Sequence, residues 1–462
     1  MMKNFRLPNT FVLLFAILAL IALATWFIPG GKYETHLVAG KTLVDPASFH
    51  YVQSAPQGLV ALLKSPIRGF VEAAQIIGFV LIVGGAFAVL QKTEAIDSMI
   101  LAIVRAHAHS RFVRAALIPL FVTMFSLGGA TFGMSEEAIP FVLIFVPLAL
   151  ALGYDSIVGV SIPFVGSQVG FAAAFLNPFN VGIAQGIAGV PVFSGVGYRL
   201  VVWCACTAVT IAFLMWYAAR VKRHPTLSPT WQIDQVKRAE RTADVATPEF
   251  TRRHGTILAL FALTLATMVV GVVGYGWFID EIAALFFAMA ILVAIAGRLS
   301  PDVFVASFIQ GARDMVSTAL VIAIARATVV IARDGQIIDT MLHALTPLVQ
   351  SEHAAFAAQK MFVIQSVINF FIHSGSGQAA LTMPIMAPLA DLVGVSRQTA
   401  ILAFQLGELS TPVIPTSGIT VGVLALARIP WIVWAKWMLP LQLAYLVLAL
   451  LLLVPPTLMG WQ

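Results

Sequence analysis

Apolar residues run in blocks of about 20 along most of the chain, the length a helix needs to cross a bilayer. The blocks predict spans at about 9–28, 70–91 and 196–219, then at 256–275, 281–297, 303–333 and 431–454. Four other blocks do not read as plain spans. Residues 112–152 carry Gly128, Gly129, Ala130, Thr131 and Gly133 in their middle, and Glu136 and Glu137 follow at once. Residues 355–394 carry His373-Ser374-Gly375-Ser376-Gly377-Gln378. Residues 156–188 are interrupted by Asn177-Pro178-Phe179-Asn180, and residues 397–428 by the stretch from Ser410 to Gly418 with Pro412 and Pro415 inside it. A carboxylate at the bilayer centre costs roughly 2.5–3.5 kcal/mol on insertion scales, and irregular backbone at that depth survives only inside protein or beside water. The pattern therefore predicts an all-α polytopic membrane protein with two re-entrant hairpins and two broken helices.

The order of parts repeats. Residues 67–102 align without gaps on 309–344, with Ile67/Ile309, Gly69/Gly311, Asp97/Asp339 and Met99/Met341 identical. Pro147/Pro388, Gly153/Gly394 and Gly166/Gly407 recur at almost the same spacing. This divides the chain into a first repeat, 1–219, a linker, 220–255, and a second repeat with one extra span, 256–462. The linker holds eight Lys/Arg against four acidic residues and reads as cytoplasmic by the positive-inside rule. The same rule places the N-terminus and 91–114 in the cytoplasm. Span 2 then runs inward and its counterpart outward, so the repeat is inverted. Opposed hairpin tips meeting broken helices at mid-membrane are a recurrent transporter binding site.

Composition agrees. Of 462 residues, 60% are hydrophobic and 10% charged, with a mean hydropathy of +0.93. That lies outside the soluble range. The net charge of +6 reads as positive-inside bias, without the aromatic interleaving of a nucleic-acid surface. Cys204 and Cys206 lie in one apolar run and read as small buried hydrophobes. Lys3 and Arg6 before an apolar run resemble a signal peptide, but the run is long for one and reads as an uncleaved first span.

Candidate chemistry gathers at the four breaks. Helix N-termini freed there attract anions, and unwound carbonyls attract cations. The expected substrate-binding residues are Glu136, Glu137, Asn177, Asn180, Ser374, Ser376, Gln378 and Arg326. The expected ion-binding residues are Thr131, Ser135, Thr411, Thr416, Ser417 and Glu408. Any single Ser or Thr reads as a helix back-bond or small packing residue, and the set clustered at four breaks reads as a site; Glu136 or Glu137 can alternatively cap a returning helix. Arg326 awaits either a substrate carboxylate or a partner such as Glu72 or Asp314. No nucleotide loop, metalloprotease motif or catalytic dyad is present. No catalytic residue and no cofactor are expected, and no metal beyond sodium; sodium or protons are the candidate coupling ions.

FGMSEEAIPF (132–141), LNPFNVGIAQGIAGVPVFSG (176–195), the stretch 369–405 and PTSGITVGVLALARIPW (415–431) resemble the YfcC family of the ion transporter superfamily, related to anaerobic four-carbon dicarboxylate carriers. The resemblance covers nearly the whole chain. It implies an elevator transporter, often a homodimer, whose members carry the name of basic amino acid antiporters. One departure stands out: before PTSG, relatives have an asparagine-containing break, whereas this chain reads Gly407-Glu408-Leu409-Ser410-Thr411-Pro412. The expected function is secondary transport of a small amino acid, basic ones included, across the inner membrane. A four-carbon dicarboxylate or other small carboxylate is the alternative substrate. An intramembrane enzyme or a receptor would need a dyad or a sizeable soluble domain, and the sequence offers neither.

Overall fold

Glycines, prolines and capping hydroxyls cut the apolar blocks into the helices seen in the computed structural model, which describes residues 10–38, 41–44, 48–242, 250–275, 277, 279–349 and 353–461. The first half contains α1 (Thr10–Ala24), α2 (Leu59–Glu72), α3 (Ala74–Lys92), α4 (Ala95–His109), α5 (Arg111–Phe132), α6 (Val142–Ala151), α7 (Ser156–Val160), α8 (Gly166–Ala172), α9 (Ile183–Ala188) and α10 (Val196–Arg223). The linker contains α11 (Trp231–Thr242). The second half contains α12 (Arg252–Tyr275), α13 (Ile279–Ala296), α14 (Pro301–Asp314), α15 (Val316–Asp334), α16 (Ile337–Leu345), α17 (Ala354–Asn369), α18 (Gly375–Leu392), α19 (Arg397–Gly407), α20 (Gly418–Leu426), α21 (Trp431–Leu452) and α22 (Val454–Leu458). Among the described residues, seven helical stretches are long and apolar enough to cross a membrane.

The expectation of a wholly helical chain is corrected at one place. The polar stretch after α1 forms two antiparallel ribbons, β1 (Gly31–Lys32) with β4 (His50–Tyr51), and β2 (Thr35–Val38) with β3 (Lys41–Val44). Lacking an apolar run to bury, this segment satisfies its backbone by pairing strands. The span expected at 70–91 begins earlier, at Leu59, while that expected at 303–333 runs over 301–334. Each is a bent pair, α2–α3 and α14–α15, with the bend at Ala73 and at Met315.

The helix bounds restate the sequence repeat: α2 and α3 shifted by 242 residues fall on α14 and α15. The two bent pairs pack crosswise, α2 along α15 and α14 along α3. Glycines set the close approach. A Cβ on Gly69 would strike the Ala323 carbonyl, and one on Gly311 the Gly84 carbonyl. Small residues let helix backbones touch where lipid supplies no hydrophobic drive.

Each hairpin returns to the level where it began. In the first, α5 runs beside α8 in the same direction, Gly166 against Val122 and Gly129 against Phe171. Because α8 belongs to the helix that follows α6, the start of α5 and the end of α6 lie at one level, and His107 meets Tyr154 edge-on at 6.3 Å. In the second, α17 runs beside α19, with Gly407 against Gln365 and Asn369 bonded to Thr411. The start of α17 is thus level with Ser396, where α18 has just ended.

Candidate functional site

The first tip forms because Gly133 takes a left-handed conformation (φ 80°) that ends α5, a backbone state suited to glycine. Met134 N then reaches back to Gly128 O at 3.3 Å. Residues Glu136–Phe141 continue as a 3-10 turn containing Pro140. Glu137 folds back as a local cap, accepting from Ser135 N at 2.9 Å. Glu137 is buried and Glu136 half-buried.

The first break lies against this tip. Gly133 abuts Asn177 and Phe179. Asn177 donates to Gly129 O at 3.3 Å, and its own oxygen accepts from Phe179 N at 2.8 Å. Gln168 donates to Ser135 Oγ at 2.9 Å. Pro163 sits in a single π-turn before the break, and Pro178 opens a second, Pro178–Gly182, within it; at each a missing N–H interrupts the ladder.

The second tip meets the same break from the other half of the chain. Ser374 caps α18, accepting from Gly377 N at 3.4 Å, and lies 3.4 Å from Ser376 Oγ. The place where Gly375 would carry a Cβ is 2.9 Å from a Glu408 carboxylate oxygen, 3.0 Å from Phe171 and 3.1 Å from Asn180. Asn180 donates to Glu408 at 2.9 Å and to Phe171 O at 2.7 Å. Glu408 thus lies at the start of an 18-residue helix, α18, whose positive end favours an anion. Around the second break, Asn369 donates to Ser410 and Thr411, both at 2.9 Å. Thr416 donates to Phe370 O, and Ser417 caps α20.

The sequence-expected residues therefore fall into groups. Ser135, Glu136, Glu137 and Asn177 gather at the first tip. Asn180, Glu408, Ser374 and Ser376 gather where the second tip meets the first break. Thr411, Thr416 and Ser417 line the second break. Gln378 is fully buried and donates to Gln365, one turn inside α18. Thr131 turns its hydroxyl to Leu127 O of its own helix at 2.7 Å. Arg326 stands apart on α15, paired with Glu72 at 3.4 Å, while Asp314 takes Gln310. Glu72 is shared, since Arg333 also binds it. His373 of the second tip lies within electrostatic reach of Arg326.

Three groups were missed by sequence reasoning. Asn369 supplies to the second break the amide that its own sequence lacks. Gln168 ties the first tip to the first break. Arg199, fully buried in α10, donates to Gln398 at 2.9 Å and to Gln405, which in turn holds the Ala174 carbonyl at 3.1 Å. Gln168 and Arg199 are polar residues inside apolar runs, and that is the signal by which they could have been found.

Fold and site define a polytopic helical membrane protein with a polar centre built from interrupted helices. Residues 7–457 match the C4-dicarboxylate anaerobic carrier (DcuC) family, and the chain belongs to that family. It is 38% identical to the Escherichia coli (strain K12) protein named "Putative basic amino acid antiporter YfcC", over 94% of this chain and 93% of that one. It is 29% identical to an uncharacterized protein of Haemophilus influenzae, over 98% and 97%. Two solved structures are similar along their length at low identity. The Alcanivorax borkumensis YdaH transporter has a TM-score of 0.43 and 17% identity, over 98% of this chain and 99% of that one. Neisseria gonorrhoeae MtrF has 0.40 and 16%, over 97% and 95%. The family is one of carriers and the Escherichia coli relative bears an antiporter's name, and the chain is a multi-pass membrane transporter.

Proposed function

We propose that the protein is a secondary transporter with an elevator mechanism, moving a small amino acid, basic ones included, across the inner membrane by ion coupling or exchange. The observation that carries this reading is the junction of Asn180, Glu408 and Gly375, where a hairpin tip and two breaks contribute to one polar centre. Among the described residues no cation lies within ion-pair distance of Glu136, Glu137 or Glu408. Carboxylates at membrane depth without a paired cation favour a proton, a sodium ion or a cationic substrate group. The name of the Escherichia coli relative points the same way.

The crosswise packing of α2–α3 on α14–α15 supports an inverted repeat, with 1–219 and 256–462 as its halves and the N-terminus in the cytoplasm. Gly418 and Gly422 of α20 lie over Ile322 of α15, a smooth apolar contact suited to sliding. A homodimer is part of the proposal.

A second reading, a four-carbon dicarboxylate as substrate, is favoured by Arg326. Three guanidinium groups, Arg68, Arg326 and Arg333, meet two carboxylates, Glu72 and Asp334, which leaves one positive charge in excess, and Arg326 lies within electrostatic reach of His373 of the second tip. The family's description agrees. A thermal-shift screen of the purified protein against amino acids and dicarboxylates, with and without sodium, separates the readings. A ligand that binds only the folded state raises the melting temperature. A shift with arginine supports the first reading and a shift with succinate alone the second. No shift with any solute counts against both.

A further inference from the structure

The linker between the halves reads as polar and cytoplasmic, yet α11 is tied into the molecule by its side chains. Asp234 is buried and accepts from Ser156 N at 3.0 Å, from the Ser156 hydroxyl and from Thr230 Oγ1 at 2.8 Å. It thereby joins Asp155 in closing the N-terminus of α7, the start of the first broken helix. One turn on, Lys237 donates to Ser156 Oγ at 2.7 Å and to Ala427 O at 2.6 Å. Ala427 is the C-cap of α20, just past the end of the second broken helix. An acid at a helix N-terminus and a base at a helix C-terminus both complement the helix dipole. A single Asp–Lys pair, three residues apart on one face, thus serves two helices from opposite halves of the chain. Arg238 adds a bond to Tyr154 O at 2.7 Å, and Glu240 pairs with Arg428 at 3.0 Å.

We infer that α11 is a strap that keeps the linker-side ends of the two broken helices together as one body during transport, with Asp234 and Lys237 as positioning residues. The inference rests on the proposed transport function. If the two helices moved apart, Lys237 could not hold both the Ser156 hydroxyl and the Ala427 carbonyl, and one part-buried bond to its ammonium group would be lost, which a protein interior opposes. The strap therefore travels with the broken helices, and movement against the rest of the molecule is absorbed elsewhere.

The test uses the full-length protein with Cys204 and Cys206 replaced by serine, and with Glu240→Cys and Arg428→Cys. Both of these exposed positions lie outside the polar centre. A reducible thiol crosslinker joins them, and uptake or exchange is measured in proteoliposomes before linking, after linking and after reduction. The strap predicts efficient linking and no loss of transport. It further predicts that Asp234→Asn lowers turnover with KM unchanged, and that the link restores turnover. Transport lost on linking and regained on reduction would show that the ends separate, and would overturn the inference. Failure of the link to form would overturn it as well. If the unlinked protein moves no solute, the transport reading fails instead, and the strap is then decided by linking yield and by melting temperatures of Asp234→Asn, Lys237→Met and the double variant. Non-additive shifts support the contact, and additive shifts refute it.

Discussion

Asn180 and Glu408 stand 228 residues apart in the chain, yet the Asn180 amide donates to the Glu408 carboxylate at 2.9 Å. Neither half alone could build this pair. If Glu408 carries the coupling ion, its charge is needed to drive accumulation but not to fill the site. Glu408→Gln, which keeps the shape and a hydrogen bond to Asn180, is expected to abolish ion-driven uptake while exchange of internal for external substrate continues. Unchanged driven uptake in proteoliposomes would remove Glu408 from coupling.

The contact at Gly375 gives a steric version of the same test. Gly375→Ala would press a methyl group on Glu408, Phe171 and Asn180 at once. The expected result is loss of ligand-induced thermal shift, with a melting temperature of the unliganded protein that falls only modestly. A variant that keeps its ligand response would place the substrate elsewhere.

Glu136 and Glu137 give a separate prediction for the first tip. Glu136→Gln or Glu137→Gln is expected to stop transport and leave expression and size-exclusion profile intact. The Ser135 N–H that Glu137 accepts can still be met by the Gln carbonyl oxygen. Full transport by both single variants and the double variant would take these carboxylates out of the site.

Helix contact between α5 and α8 sets a stability prediction. A Cβ on Gly170 would overlap the Ser126 carbonyl, whereas one on Gly78 of α3 meets nothing within 4 Å. Gly170→Ala should destabilise by about 1–3 kcal/mol through overpacking. Gly78→Ala should be neutral or stabilising by up to about 1 kcal/mol from helix propensity. Denaturation of the two variants in detergent compares them directly.

Asp155, at the linker side of α7, sets a pH dependence. Burial raises its carboxyl above the usual range and the charge of Asp234 adds to this, while hydrogen bonds from Tyr217, Val158 and Ser228 oppose it. The folded state then holds the proton more tightly than the unfolded state. Stability contributed by this group therefore falls as pH rises from its ordinary value near 3.8 through the raised value. Asp155→Asn should flatten that slope in melting temperature against pH. A slope equal to that of the parent protein would contradict the assignment.

The hairpins and breaks were legible because Gly128–Gly133, Asn177–Asn180 and Ser410–Ser417 are polar or helix-breaking sets inside apolar runs, which lipid does not permit without a reason. Asn369, Gln168 and Arg199 were not legible as site residues. Each is one polar side chain whose meaning depends on a partner far away in sequence: Thr411, Ser135 and Gln405. The linker's composition read only as a basic cytoplasmic linker, because the face of α11 that binds Ser156 and Ala427 is only two residues wide. The ribbons at 31–51 escaped because strands of two to four residues leave almost no periodic signal.

The central claim is that a polar centre shared by both halves moves a solute. The most direct measurement is uptake and exchange of radiolabelled arginine and succinate by purified protein in proteoliposomes, compared between the parent protein and Glu408→Gln. The account predicts saturable movement of one of the two by the parent protein, with driven accumulation lost in the variant. Movement of neither solute by the parent, or identical accumulation by both proteins, would contradict it.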